Sequence, residues 1–458
     1  MYKKCDKIIL NNGRNKMIRN AQLKTKKTEE ISFNKALKQM DKAGAPVENS
    51  AEKPMVSDNN IVEQPAKAPK TSKSWLVMLI LGILMLAGGV VMFVLPFVLP
   101  KEVLPDLTFP TIPSKKSDEP VVYSDLTGLK LASEADKTAP AFCVQTPNGL
   151  DGARPQAGLF QAGVVFEAIA ESGITRFAAI YQNPTSAVIG PIRSLRLYYL
   201  QWDTPFDCAI VHAGGADDAI AAVRAGGYKD LSENYAYMYR GGYANYDRLW
   251  NNLFTTGAYL MQFNSDYDYG GSDIHGFTRM TPEASRKARV NKGVAEKLVI
   301  TEAATDDVNT IKPSVTDISL EFSGWASYNV NYSYDSSTNS YDRSYASGDE
   351  HMVYDCPSEN LGEVIPEDVC TLKQISPNVI VAMIVDESLA WDGYHEDITT
   401  IGTGSAYIFQ NGYVVPGTWN KESVDAQIVF RDADGDEIAL APGQTFVEAI
   451  PTYGGVEY

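Results

Sequence analysis

The chain has 458 residues, 44% hydrophobic and 21% charged, a balance that excludes wholesale disorder, a collagen-like repeat and a disulfide-framework miniprotein. At ~150 residues per domain it allows two or three domains. The net charge of -17 divides unevenly: residues 1–74 carry 16 Lys and Arg against 8 Asp and Glu, and the part after residue 100 carries 24 against 49. The large C-terminal part therefore lacks the basic surplus that displaces phosphate counterions, and no nucleic-acid partner is expected.

Residues 1–74 are rich in Lys, Asn, Glu and Pro without sustained apolar periodicity, the composition of a disordered basic tail. Residues 75–100 run without a charge, and Trp75 to Leu95 is long enough at ~1.5 Å per residue to cross ~30 Å of hydrocarbon. Lys67, Lys70 and Lys73 precede the span, whereas Lys101 is offset by Glu102. The positive-inside rule then predicts a single-pass cell-membrane protein with a cytoplasmic N-terminus and extracytoplasmic C-terminal domains. Residues 101–121 hold four prolines and read as a stalk.

From residue 122 to 300 short apolar runs alternate with helical patterns: AFCVQT as a strand, residues 159–171 as a helix, 175–182 as a strand, 191–202 as a helix with Pro191 in its first turn, DCAIVHAG as a strand and DDAIAAVRAGG as a helix. This predicts an α/β domain with a mostly parallel sheet. A further helix is expected over 280–299 and a linker over 300–314. Residues 313–458 read as a mainly antiparallel β domain: WASYNVNYSYD with SYDRSYAS as a hairpin, NVIVAMIVD as a buried strand, SAYIFQNGYVVPG as a hairpin turning at Asn411-Gly412, and AQIVFRDADGDEIAL as another.

Four cysteines fall on the extracytoplasmic side, where disulfides persist. Cys356 and Cys370 flank a short loop and are expected to pair. Cys143 and Cys208 lie in strand-like runs, equally consistent with a second bridge and with two buried thiols.

Ligands of open α/β sheets bind beyond the carboxyl ends of the strands, and that rule collects Asp151 and Arg154, then Arg193, Ser194 and Arg196, then His212, Gly214 and Gly215. Arginine forks match carboxylates and phosphates, and a glycine pair lets backbone N–H groups approach an anion. The expected ligand is an anionic polymer or peptide of the cell envelope. An enzyme acting on such a polymer, hydrolase or transferase, would use His212 or Glu167 as its general acid or base. A third alternative is a structural partner of a membrane complex, using the face carrying Tyr328, Tyr332, Tyr334, Tyr341 and Tyr345.

No nucleophile elbow, Walker loop, dinucleotide fingerprint or zinc motif occurs, and no cofactor or metal is expected. Asp432, Asp434 and Asp436 resemble a calcium loop only superficially, because Gly435 is displaced and Gly443 stands where the bidentate Glu belongs.

GARPQAGLFQAGVVFEAIAESGITRF, IGPIRSLR and VHAGG, followed by Tyr341-Asp342-Arg343, NVIVAMIV, GTGSAYIFQNGYVVPGTWNKES and PGQTFVEAIP, resemble the paired N- and C-terminal domains of the YerB-like bacterial envelope proteins. The resemblance covers residues 123–458 and implies exposure outside the cytoplasmic membrane, with no established activity. It carries over Arg154, Pro155, Glu167, Thr175, Arg176, Gly190, Pro191, Arg193, Ser194, Arg196, His212, Gly214 and Gly215, with Asn252 and Trp419. Many relatives look like lipoproteins held by an acylated cysteine; this chain has no lipobox and a charge-free span instead.

Overall fold

The computed structural model describes residues 121–240, 251–293, 315–356 and 370–458. The basic tail, the charge-free span, the stalk and the linker expected over 300–314 lie outside the described residues. Among the described residues no helix is long and apolar enough to cross a membrane.

The strands are β1 Ala141–Pro147, β2 Val164–Glu171, β3 Ile174–Gln182, β4 Ala209–His212, β5 Lys229–Ser232, β6 Tyr239–Arg240, β7 Leu253–Phe254, β8 Asp317–Glu321, β9 Val330–Asp335, β10 Ser340–Tyr345, β11 Met352–Asp355, β12 Thr371–Gln374, β13 Val379–Val385, β14 Glu387–Leu389, β15 Glu396–Ile398, β16 Gly402–Gln410, β17 Tyr413–Lys421, β18 Val429–Arg431, β19 Thr445–Pro451 and β20 Gly455–Glu457. Ten of them build one mixed sheet in the order β18-β17-β16-β13-β19-β2-β3-β1-β4-β5. Strands from both halves of the sequence enter it, and they meet where β19 runs parallel to β2 from Thr445↔Val164 to Glu448↔Glu167.

The mostly parallel sheet expected for the first half is corrected here. β1 runs parallel to β4, and β4 to β5, but β3 is antiparallel to both β1 and β2. The cause is local: residues 159–171 are a short 3-10 turn at Leu159–Gln161 followed by strand β2, not a helix. β2 is buried on both faces except at its last residue, so its apolar letters run almost continuously and mimic helical periodicity. Ser172 and Gly173, both at positive φ, then turn β2 back into β3 as a hairpin.

A second correction concerns residues 191–202. The helix covers only Leu197–Asp203; Arg196 is its N-cap residue, and Arg193 lies in extended chain before it rather than in a first turn. The C-terminal half is mostly antiparallel, as expected. β9 and β10 form a hairpin, β16 and β17 turn at Asn411-Gly412 with both residues at positive φ, and β13 is buried along nearly its whole length. The helix expected from residue 280 is described over Pro282–Gly293.

A four-stranded antiparallel sheet, β10-β9-β8-β20, covers one face of the large sheet, packing Leu320, Val330, Tyr332 and Tyr341 against Ile169, Ile380, Phe409 and Ile450. The helices Leu197–Asp203 and Asp217–Arg224 cover the opposite face through Tyr199, Trp202, Ala219 and Val223, against Phe166, Ala168 and Ile210. Disulfides join Cys356 to Cys370 and Cys143 to Cys208. The second pair resolves the alternative left open by the sequence, because β1 and β4 are neighbours and bring the Cα atoms to 5.6 Å.

Candidate functional site

The carboxyl ends of β1, β2 and β4 and the start of β3 lie at one edge of the large sheet. Residues 193–195 run along this edge as a connector. Arg193 N–H donates to Gln145 O, Ala213 N–H donates to Arg193 O, and Leu195 N–H donates to Gly214 O. The three segments predicted to converge do converge in their backbones, but their side chains separate into three environments.

The first is enclosed. Glu167, expected as a possible acid or base, is fully buried in β2 and pairs with Arg343 of β10, itself fully buried. Glu448, opposite Glu167 in register, lies 3.8 Å from Arg343 and accepts a hydrogen bond from Tyr332. Burial, and then the neighbouring Glu167 carboxylate, push the Glu448 carboxyl well above the usual range. Arg343 also donates to His351 Nδ1, and His351 Nε2 lies 3.1 Å from Gln156 Oε1. Burial, and then the charges of Arg343 and Arg154, hold the imidazole well below its ordinary value and neutral.

Arg154 closes this network. Its Nε donates to Asn148 O and Oδ1 at 2.9 and 2.8 Å, its Nη2 donates to Ser327 O at 2.9 Å, and its guanidinium lies 3.6 Å from the Tyr345 ring centre. Asn148 Nδ2 in turn donates to Glu167 and Thr175. Arg154 thus ties the loop after β1 to the Ser327 backbone between β8 and β9, with its Nε and Nη2 engaged.

The second environment lies at the rim. The Glu171 carboxylate receives Arg176 at 2.9 Å and Arg196 at 2.6 Å. Burial alone would raise this carboxyl, but the two guanidiniums outweigh it and hold it below the usual carboxylate range. Arg176, brought down to about 10 by burial and by the like charge of Arg196, stays protonated at neutral pH and also donates to Ser194 O at 2.7 Å. Arg193 is different. It is half-buried, its Nε is enclosed like those of Arg176 and Arg196, and among the described residues no part of its guanidinium has a hydrogen-bond or ion-pair partner. Glu171, Asp151 and Tyr394, the last in the loop between β14 and β15, act on it only from a distance.

The third environment is a hollow of about 570 Å³ lined by His212, Gly214, Gly215, Arg224, Asp230 and Glu233. His212 Nδ1 sits 2.8 Å from Gly214 O and Nε2 sits 3.0 Å from Asp230 Oδ1. Both ring nitrogens thus lie within hydrogen-bond distance of protein oxygens. Gly214 adopts φ +68°, and a Cβ at Gly215 would meet Leu195 O at 3.0 Å, so this pair permits the close approach of the 193–195 connector.

Asp432 Oδ1 accepts the backbone N–H groups of Asp434 and Asp436, which accounts for the aspartates of that loop as a turn. The pivotal residues that sequence reasoning left unassigned are Glu171, Arg343, Glu448 and His351. A lone charge inside an apolar strand, as in TFVEAIP, was the available signal for Glu448.

Residues 126–269 match the family described as "Protein of unknown function (DUF3048) N-terminal domain", and residues 318–447 match its C-terminal domain. The chain is 28% identical over 332 residues to a Bacillus subtilis (strain 168) protein named "Putative lipoprotein YerB", covering 71% of this chain and 85% of that protein. The crystal structure of YerB protein from Bacillus subtilis superposes with a TM-score of 0.55 at 22% identity, over 74% of this chain and 100% of that one, and supports the fold.

Proposed function

This chain belongs to the YerB-like family of paired N- and C-terminal domains, and from that premise we propose that it is a membrane-anchored extracytoplasmic module that binds an anionic polymer or peptide of the cell envelope. The charge-free stretch 75–100 serves as the anchor, with the basic tail on the cytoplasmic side. A membrane-associated location agrees with the lipoprotein name of the relative.

The observation that carries the binding reading is Arg193. Desolvating a guanidinium without a partner is costly, and here the like charge of Arg196 adds to that cost, while Glu171 is shared between Arg176 and Arg196. An incoming carboxylate or phosphate supplies the missing acceptors in bidentate geometry. Arg154 and the His212 loop act as supports: one fixes the loop after β1, the other backs the 193–195 connector.

The test is a thermal-shift titration of the full-length protein in detergent against polyglycerol phosphate, polygalacturonate and poly-L-glutamate. A ligand that binds only the native state raises stability by RT ln(1 + [L]/Kd). A shift with at least one polyanion, lost in Arg193→Ala and weakened by salt, is the expected result. Equal shifts in wild type and Arg193→Ala contradict the proposal.

A further inference from the structure

Beside the Glu171–Arg196 pair of the rim, the hairpin β14–β15 lifts large apolar side chains into solvent: Trp391 is 83% exposed and Tyr394 56%. Single exposed aromatics are ordinary on a protein surface, whereas a contiguous, fixed group marks a binding surface. This tip is fixed. One Asp392 oxygen accepts the backbone N–H groups of Tyr394 and His395 at 2.9 and 3.0 Å, and the other meets His395 Nδ1 at 2.6 Å. The hairpin is joined to the Glu171 rim by a backbone bridge between Glu171 and His395. Trp325, 61% exposed, lies against Gly173 of the β2–β3 turn.

Beneath Trp391 is a pocket of about 80 Å³ walled by Asp217, Asp392, Glu396, Asp397 and Arg196. Ionised carboxylates only accept hydrogen bonds and repel anions, so a ligand that is merely a polyanion gains nothing on this side of the site. A ligand with hydroxyl donors and an apolar ring face gains on both counts, because hydroxyls donate to carboxylates and C–H faces pack on aromatic rings.

We propose that Trp391 and Tyr394 form a saccharide platform continuous with Arg193, so that the ligand is an acidic glycan whose sugar rings lie on the aromatics, whose hydroxyls donate into the acid-walled pocket, and whose carboxylate or phosphate reaches Arg193. This deepens the anion-binding reading and rests on it. A charged peptide, lacking repeated hydroxyls and ring faces, uses Arg193 alone.

Fluorescence titration of the full-length protein with polygalacturonate and with poly-L-glutamate of matched length separates the two. Polygalacturonate is expected to bind at least tenfold tighter. Trp391→Ala/Tyr394→Ala abolishes that advantage and leaves the polyglutamate affinity in place, while Trp391→Phe retains most of it. Both side chains are largely in solvent, so an unchanged melting temperature confirms that the double variant folds. Polygalacturonate binding no tighter than polyglutamate, or an advantage untouched by the double variant, overturns the saccharide platform. A sugar advantage that survives Arg193→Ala but not Trp391→Ala keeps the platform and overturns the anion site instead.

Discussion

Two clusters of arginine and carboxylate lie near the same edge of one sheet, and they differ in what surrounds them. In the inner cluster Glu167, Arg343 and Glu448 are fully buried and joined by Tyr332, His351 and Asn148, so the buried cation has its partners within the protein and Glu448 Oε2 alone among the carboxylate oxygens of this cluster lacks a hydrogen bond. In the rim cluster Glu171 forms ion pairs with Arg176 and Arg196, while Arg193 has no ion pair or hydrogen-bond acceptor among the described residues. The same residue types therefore serve as a bolt between the two sheets in one place and as an open receptor in the other. Partner count and burial separate the two roles, not residue identity.

The sharpest way to break the comparison is to unpair the inner cluster. Arg343→Leu leaves Glu167 buried without its cation and is expected to destabilise by about 3–5 kcal/mol, measured by denaturant unfolding. Arg193→Ala, which removes no ion pair and relieves the desolvation of an unpartnered guanidinium, is expected not to destabilise the protein. If the two substitutions cost the same, the distinction between bolt and receptor fails.

The disulfides give the next largest effect. In the chain-entropy model the Cys143–Cys208 bridge, spanning 65 residues, contributes about 4 kcal/mol, and the Cys356–Cys370 bridge, spanning 14, about 3 kcal/mol. Paired Cys→Ser variants should fall in that order of stability, and the reverse order would show that native packing around the short loop outweighs loop closure.

A smaller effect sharpens the comparison through pH. His351 is held neutral in the fold, below its ordinary value, so as pH falls through ~6.5 the unfolded chain takes up a proton that the native state refuses, and stability declines. Glu448, held protonated, has the opposite sign: the unfolded chain releases its proton above ~4.5, and that contribution is lost as pH rises toward the raised native value. His351→Gln, which keeps hydrogen-bonding capacity, should flatten the decline between about pH 6.5 and 5 in a denaturation series. A slope identical to wild type would place the acid-sensitive group elsewhere.

Much of the second half was legible because its signals are local. Asn411-Gly412 demanded positive φ at a two-residue turn, alternating Tyr and polar residues marked β9 and β10, and the Val379–Val385 run could only be a buried strand. The first half misled where tertiary context overrides local pattern. β2 carries apolar residues on both faces because it lies mid-sheet, paired to β3 and β19, and its parallel partner β19 begins 274 positions after the last residue of β2, beyond the reach of any local pattern. The site was legible as a set of segments meeting at one edge, but not in its division of labour. Nothing in the letters distinguishes Arg193 from Arg196; the difference is the position of Glu171 at the end of β2, a strand whose letters carry helical periodicity.

The central claim is that Arg193 is a receptor for an external anion, and the most direct measurement is the affinity of full-length wild type and Arg193→Ala for polygalacturonate across a salt series. Wild type should bind, weaken steadily as salt rises, and lose at least tenfold in affinity in Arg193→Ala at low salt while the variant melts no lower than wild type. Equal affinities and equal salt slopes for the two proteins would contradict the account.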